Sequence, residues 1–259
     1  MILKFVVLKN KFLFRNIISD AISGFLFVII QISFFTNFVI KRFDYQTNTA
    51  LIYFVFSFIL SACCATKVAE DIPVLYHRNT FAKKLLFPHS YFLYLLKYNF
   101  MNKVLLFCSF SALYVIITLP LGIFSSNIAT HLPIFLMSAV LSFILDISLR
   151  IILGLVIMKN HNFMILAKTY NQIDRILSGA IVPLSFLPQT VQTVFFCLPF
   201  HFLICFPLEI LIHGKTTISV GVKKINGLTL QIILTICIVV LAYTVFTLRI
   251  KKLQKEGSL

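Results

Sequence analysis

Charged residues are scarce in this chain of 259 residues. They make up 12% of it, with 8 Asp and Glu against 23 Lys and Arg, while 59% of the residues are hydrophobic. About a quarter of the residues in a soluble domain are usually charged. A soluble chain of this length could not bury so much apolar surface. The composition therefore excludes an ordinary soluble protein and predicts a single integral membrane domain over residues 1–259.

Motifs of metal sites, hydrolases and nucleotide-binding loops are also missing. The six cysteines have neither disulfide-framework nor zinc-ligand spacing, although Cys197 and Cys205 could be bridged. The six histidines form no H-E-x-x-H pattern, and no G-x-S-x-G occurs. Gly214 and Lys215 resemble the end of a phosphate-binding loop, but Glu209 stands where that loop needs another Gly. We therefore expect a chain that is not an enzyme and binds no metal or cofactor.

Apolar stretches in the sequence predict an all-α protein with six transmembrane helices, since a crossing needs about 20 mostly apolar residues. The fifth stretch is the weakest because it contains several charged and polar residues. The predicted spans are residues 21–40, 50–66, 103–124, 132–158, 163–182 and 227–249.

Basic residues are concentrated in alternate connections between these spans. With the N-terminus inside, most Lys and Arg fall on the inner side, which predicts a multi-pass protein with both termini cytoplasmic. We expect it in the plasma membrane of a prokaryote. Residues 1–17 alternate basic and apolar side chains. They predict an interfacial helix on the inner leaflet, with a frayed basic tail as the alternative. Because the basic residues lie between apolar segments, we expect the lipid bilayer and no nucleic acid as partner.

The connection over residues 67–102 is long and lies on the inner side. It begins with Glu70 and Asp71, continues as a candidate short helix, and then reaches the basic and apolar stretch Lys83–Pro88. An amphipathic helix lying parallel to the membrane there would suit contact with a soluble partner. The alternative is a solvated loop with an interfacial helix and no partner.

The connection over residues 183–226 is long, lies on the outer side and contains several prolines. Gly179, Pro183, Pro188 and Pro199 interrupt an apolar stretch, and a proline within a straight helix removes an amide donor and clashes with the preceding turn. The prolines therefore predict short re-entrant helices that dip into the outer leaflet and return. A packing cap without a moving part is the alternative.

Four charged residues lie within the predicted fourth and fifth spans. Asp146 and Arg150 are four residues apart in the fourth span, and Asp174 and Arg175 are adjacent in the fifth. The two spans run antiparallel, which puts these charges at similar depth. We predict an Asp146–Arg175 pair, with Arg150 and Asp174 completing an intramembrane charge network. The network either lines a translocation path or only joins the helices, and Arg150 could instead snorkel inward.

Two of these stretches resemble ABC-2-type export permeases. The inner string DIPVLYHRNTFAKKLLFPHS has Asn79 where the family usually has Gly, and Asn tolerates left-handed backbone better than most residues. The matching inner positions are Asp71, Asn79, Lys84, Leu85, Leu86, Pro88 and Ser90. The matching outer positions are Ser178, Gly179, Pro183, Leu184, Leu187, Pro188, Leu198, Pro199, Phe200, Pro207 and Gly214.

The resemblance implies a permease subunit of an ATP-driven ABC exporter. ATP and Mg would be held by a separate ABC ATPase subunit, and a second permease chain, identical or a sister, would complete the pathway, with the first and fifth spans at the dimer interface. The outer gate would comprise Gly179, Pro183, Pro188 and Pro199. The residues that couple to the ATPase would be Asp71, His77, Arg78, Asn79, Thr80, Lys84, Leu85 and Pro88.

The cargo has no motif of its own in the sequence. The chain has 29 Phe, 9 Tyr and no Trp, which suits a hydrophobic or amphipathic substrate such as a peptide or a lipophilic toxin. One alternative is an ion-coupled secondary carrier that uses the intramembrane Asp and Arg residues, but interrupted spans in both halves are missing. A membrane scaffold that transports nothing is a third possibility.

Overall fold

The computed structural model describes residues 33, 47–64, 66–78, 80–81, 91–118, 126–181, 183–184, 187–196, 198–220 and 223–255. These residues are mostly helical. The helices are α1 (Thr47–Cys64), α2 (Val68–His77), α3 (Tyr91–Thr118), α4 (Ser126–Ile157), α5 (Phe163–Leu177), α6 (Gln189–Phe196), a 3-10 helix (Pro199–Phe202), α7 (Cys205–His213) and α8 (Gly227–Lys255).

The chain divides into two compact units, Met1–Ile59 and Leu60–Leu259. In the first unit the described residues are Ser33, which is helical, and the greater part of α1. The second unit contains the remaining elements and is the one described below. The single membrane domain over residues 1–259 stays a prediction.

Among the described residues, three helical stretches are long and apolar enough to cross a membrane. They are Ile52–His77, Thr130–Ile157 and Gly227–Lys255, and they overlap the predicted second, fourth and sixth spans. The chain therefore has the helices of a membrane protein, whereas six crossings remain a prediction. The predicted first span, except Ser33, and the interfacial helix over residues 1–17 lie outside the described residues.

Two helices differ from their predicted spans. α3 begins at Tyr91, well before the predicted start at residue 103, so Lys103 lies inside the helix rather than at its end. α5 has 15 residues and ends at Leu177. At 1.5 Å per residue it is about 22 Å long, which is shorter than a hydrocarbon core of about 30 Å. Gly179 follows with a φ of 80°, a conformation that glycine adopts without strain.

The second unit packs around α4. α2, α3, α7 and α8 all contact this helix, as expected for a helix that is apolar on nearly every face. Gly154 allows α2 to pack closely on α4, because a Cβ added at this position would lie 3.1 Å from Ile72 Cδ1 and 3.3 Å from Ala69 Cα. The buried cluster contains Val68, Ile72, Phe81, Tyr91, Phe92, Leu95, Ile147, Ile151, Leu155, Met158, Ala242, Phe246 and Leu253.

Between α5 and α8 the described residues include three short helices. α6 has 8 residues, the 3-10 helix has 4 and α7 has 9. The longest is about 14 Å long, so no one of them crosses a membrane alone. Pro188 comes directly before α6, Pro199 is the first residue of the 3-10 helix, and Pro207 lies in the first turn of α7. Prolines at these positions lose no helical hydrogen bond.

One part of the connection departs from the all-α expectation. Strands β1 (Thr217–Val220) and β2 (Lys223–Asn226) form an antiparallel hairpin in which Thr217 pairs with Asn226. The Gly227 amide donates to the Thr216 carbonyl at 2.7 Å and brings the chain to the start of α8. Strands of four residues are too short to give a strong alternating pattern, which is why the sequence did not predict them.

Candidate functional site

Four buried charges form a network that joins α3, α4 and α5. Asp146 on α4 accepts hydrogen bonds from Lys103 Nζ on α3 and from Arg150 Nε, which lies 2.9 Å from both carboxylate oxygens. Arg150 Nη2 donates to Asp174 Oδ2 on α5 at 3.0 Å. The charges alternate from Lys103 through Asp146 and Arg150 to Asp174, so the network has no net charge.

The four side chains of the network are almost completely buried. Lys103 and Asp146 are 0% exposed, Arg150 is 1% exposed and Asp174 is 4% exposed. A charge in such an environment is costly unless it is paired and hydrogen-bonded. Removing one partner of a buried pair typically costs about 3–5 kcal/mol, because the other charge is left uncompensated. The four residues therefore act as one unit.

Arg150 is the centre of this unit. Its Nη1 donates to Asn171 Oδ1 on α5 and reaches the Thr66 carbonyl, just before α2, at 3.5 Å. The ring of Tyr170 lies 5.6 Å from the guanidinium carbon. The planar guanidinium has five donors in a fixed fork, so it suits a junction of several elements better than Lys would. Arg150 thus links the start of α2 to α4 and α5.

The predicted network is brought together only in part. Asp146, Arg150 and Asp174 meet, but Arg175 is exposed, and Asp146 is paired with Lys103 and Arg150 instead of Arg175. Adjacent residues on a helix point about 100° apart, so Asp174 and Arg175 cannot both face α4. Lys103 was not predicted as a member of the network, because the hydropathy pattern placed the start of the third span at this residue. Had the predicted helix begun at Tyr91, Lys103 would have fallen inside it.

Within the part of the chain that the structure describes, further polar atoms near the network have no hydrogen-bond partner. Tyr170, Asp174 and Ser178 follow one another at intervals of four residues, and Tyr170 OH, Asp174 Oδ1 and Ser178 Oγ are all unpartnered. Thr66 Oγ1 and both ring nitrogens of His201 are unpartnered as well. Buried polar atoms in folded proteins are nearly always hydrogen-bonded, so an unpartnered group points to a functional role or to a destabilised position.

The short helices between α5 and α8 are attached to α4, to α8 and to the residue after α5 by hydrogen bonds. Ser142 Oγ and Gln231 Nε2 donate to the Phe202 carbonyl at 2.7 Å and 3.3 Å. The Cys205 amide donates to the Ser178 carbonyl at 3.1 Å. The Cys205 thiol donates to Glu209 Oε1 at 3.5 Å.

Among the predicted gate residues, Gly179 terminates α5, Pro183 is buried, Pro199 begins the 3-10 helix and Pro188 is exposed before α6. His201, next to Pro199 and Phe200, is fully buried between aromatic rings. Its ring centroid lies 4.7 Å from that of Phe196 and 5.3 Å from that of Phe202. Burial lowers the pKa of His201 to about 3, so this imidazole is neutral.

Helix α2 has one buried and one exposed face. Val68, Ala69, Ile72 and Pro73 are buried, whereas Asp71, His77 and Arg78 are exposed. The His77 ring stacks on Phe163 of α5 at 5.4 Å, and the Thr80 hydroxyl donates to the Leu75 carbonyl at 3.2 Å. The predicted coupling residues Asn79, Lys84, Leu85 and Pro88 lie outside the described residues.

No family model matches this chain, and no curated protein matches it. Within the part of the chain that the structure describes, no group of three or more His, Cys, Asp or Glu side chains is placed to hold a metal ion. The chain's own residues are therefore the basis for a functional proposal.

Proposed function

We propose that this chain is the permease subunit of an ATP-driven exporter of the ABC-2 type, with both termini cytoplasmic in a prokaryotic plasma membrane. A separate ATPase subunit binds ATP and Mg, and a second permease chain completes the path. The cargo is hydrophobic or amphipathic and moves outward. The observation that carries the proposal is the attachment of the inner helix α2 to both α4 and α5, since a permease driven by an external ATPase needs such a lever.

Three contacts support this role for α2. Its buried face packs on Gly154 of α4, with Ile72 and Ala69 in closest approach. His77 stacks on Phe163 at the start of α5. Arg150 reaches the Thr66 carbonyl ahead of α2 while it binds Asp174 of α5. A displacement of α2 would therefore move α4 and α5 together.

A contact at the end of α5 suggests how a displacement of α2 reaches the opposite side of the membrane. α5 is followed directly by Ser178, whose carbonyl accepts from the Cys205 amide at the start of α7. Closure of the ATPase subunits would push on the exposed face of α2, and α5 would transmit the movement to the short outer helices. The neutral charge network keeps α3, α4 and α5 together during this movement, because separating its members would leave buried charges unpaired.

The test is purification of the tagged chain from its native membranes in mild detergent. A co-purifying ATPase with vanadate-sensitive activity supports the exporter. Arg78→Glu, on the exposed end of α2, should abolish this association, while Lys215→Glu, a charge reversal on the proposed outer side, should not. A chain that purifies without an ATPase under all mild conditions would contradict the proposal.

An ion-coupled carrier is a second candidate, favoured by the unpartnered Asp174 Oδ1 beside the buried charges. Such a carrier would need no ATPase. In proteoliposomes of the purified chain, an imposed pH gradient alone would then acidify or alkalinise the lumen, and Asp174→Asn would remove this flux. Lack of any gradient-driven flux would exclude the carrier.

A further inference from the structure

α5 exposes a stripe of polar and cationic side chains. Lys168, Gln172 and Arg175 are spaced by four and three residues, which places them on one face of the helix, and all three are exposed. About 10 Å of helix separates Lys168 from Arg175. The stripe therefore covers about half of the helix and is not confined to its inner end.

The positive charge of this stripe is not compensated within α5. Asp174 is the only acidic residue in the helix. It is buried on another face and is bound by Arg150. Lys168 and Arg175 thus present two exposed positive charges, and the buried network explains why the neighbouring carboxylate does not neutralise them.

An apolar stripe runs beside the cationic one. Ile165 is 64% exposed, Ile173 is 46% exposed and Ile176 is 57% exposed. At about 100° per residue, Ile165 and Ile176 fall next to Gln172 and on the side away from the buried Asp174. The exposed part of α5 is consequently amphipathic along its length, with cations on one side and branched apolar side chains on the other.

Neither lipid tails nor a copy of the same face is a suitable neighbour for this surface. Exposed cations at membrane depth are costly in hydrocarbon and tend to face partners or water. In a symmetric dimer with its axis along the membrane normal, Lys168 and Arg175 would each lie opposite the same residue of the other chain. Like charges facing each other repel, so direct pairing of the two stripes is disfavoured without an anion between them.

We infer that this face of α5 binds an amphipathic anion, with its acidic group at Lys168 and Arg175 and its apolar part along Ile165, Ile173 and Ile176. The inference rests on the proposed function, since it names the cargo class of that exporter. Charge-assisted contacts to Lys and Arg would hold the acidic group, and the isoleucines would bury the apolar part.

The experiment uses the full chain in phosphatidylcholine nanodiscs. The probe is dodecyl phosphate with a photoreactive diazirine in its tail, and the labelled peptides are identified by mass spectrometry. We expect labelling on α5 that unlabelled dodecyl phosphate displaces and dodecyltrimethylammonium, which has the same tail and the opposite charge, does not. Lys168→Gln with Arg175→Gln should weaken binding roughly tenfold.

Two controls make this result specific. Lys251→Gln with Lys252→Gln removes two exposed lysines from the end of α8 and should leave binding unchanged. Lys168→Arg with Arg175→Lys keeps the charges and should retain binding. Equal displacement by the cationic amphiphile, or unchanged binding in the glutamine variant, would overturn the inference.

Added phosphatidylglycerol distinguishes a resident anionic lipid from an exported cargo. Displacement of the probe at ordinary membrane fractions of this lipid identifies the lipid as occupant, and persistence of labelling identifies a cargo.

Failure of the inference is also separable from failure of the proposed function. An ATPase that co-purifies with a chain that binds no anion leaves the exporter standing, whereas anion binding by a chain without an ATPase contradicts only the exporter.

Discussion

Arg150 and Asp174 form the ion pair that joins α4 to α5, with Arg150 Nη2 3.0 Å from Asp174 Oδ2. The same guanidinium is bound to Asp146 on its own helix. The pair is therefore part of a balanced set of four charges, and the balance determines how substitutions behave.

Single substitutions in this set should be more harmful than a suitable double substitution. Arg150→Met leaves one excess negative charge and Asp174→Leu leaves one excess positive charge, so each should destabilise the fold by about 3–5 kcal/mol. The double variant retains only the neutral Lys103–Asp146 pair and should be more stable than either single variant. Thermal stability in detergent, followed by size-exclusion chromatography, measures the difference.

Arg175→Met is the matched control for Arg150→Met, because Arg175 is exposed and outside the network. It should change the melting temperature little. Additive losses in the Arg150→Met and Asp174→Leu double variant would show that the two residues do not act as a pair.

Gly154→Ala should loosen the packing of α2 on α4. The added Cβ would meet Ile72 Cδ1 at 3.1 Å and Ala69 Cα at 3.3 Å, and only the isoleucine can move easily. We expect a loss of about 1–3 kcal/mol and faster hydrogen exchange in α2. Exchange in α7, which packs elsewhere on α4, serves as the internal control. Equal acceleration in both helices would indicate general destabilisation rather than a local clash.

Gly214→Ala should destabilise the end of α7 for two reasons. Gly214 has a φ of 64°, which is unfavourable for alanine, and the new Cβ would lie 2.5 Å from His131 Cε1. Adding His131→Ala should restore only part of the stability, because it removes the clash and leaves the backbone strain. Complete recovery in the double variant would mean that the backbone conformation contributes nothing.

His201 should reduce stability in acid. Its pKa falls from an ordinary 6.5 to about 3 on burial, so protonation favours the unfolded chain. Above pH 6.5 His201 does not change the free energy of unfolding, and this free energy falls progressively as the pH falls from 6.5 towards 3. His201→Phe should remove this dependence and should not lower stability at pH 7, since the imidazole nitrogens are unpartnered. Denaturation midpoints at pH 7 and pH 4.5 measure both effects.

His77→Phe is the control for this pH dependence, because His77 is exposed. It should leave the loss of stability between pH 7 and pH 4.5 as in the wild type. An acid loss that persists in His201→Phe would assign the effect to other groups.

Part of the fold could be predicted from residue pattern alone. The apolar stretches around α4 and α8 predicted long helices, and the prolines around residue 188 and residue 199 predicted short helices. Asp146, Arg150 and Asp174 stood out because charges within apolar spans are rare. The partners of these charges could not be predicted, since depth along a helix does not reveal which face points to a neighbour. Helix rotation is set by packing, and Gly154 and Ile72 show where that packing is closest.

The chain is synthesised from its N-terminus, so the members of the charge network reach the membrane in sequence. Lys103, Asp146 and Arg150 arrive first and together carry one excess positive charge. Asp174 arrives with α5, which is short and interrupted by polar residues. Asp174 on α5 therefore neutralises the excess positive charge of α3 and α4, and Arg150 on α4 neutralises Asp174. Packing of the shortest of these helices and completion of the bundle are thus a single event.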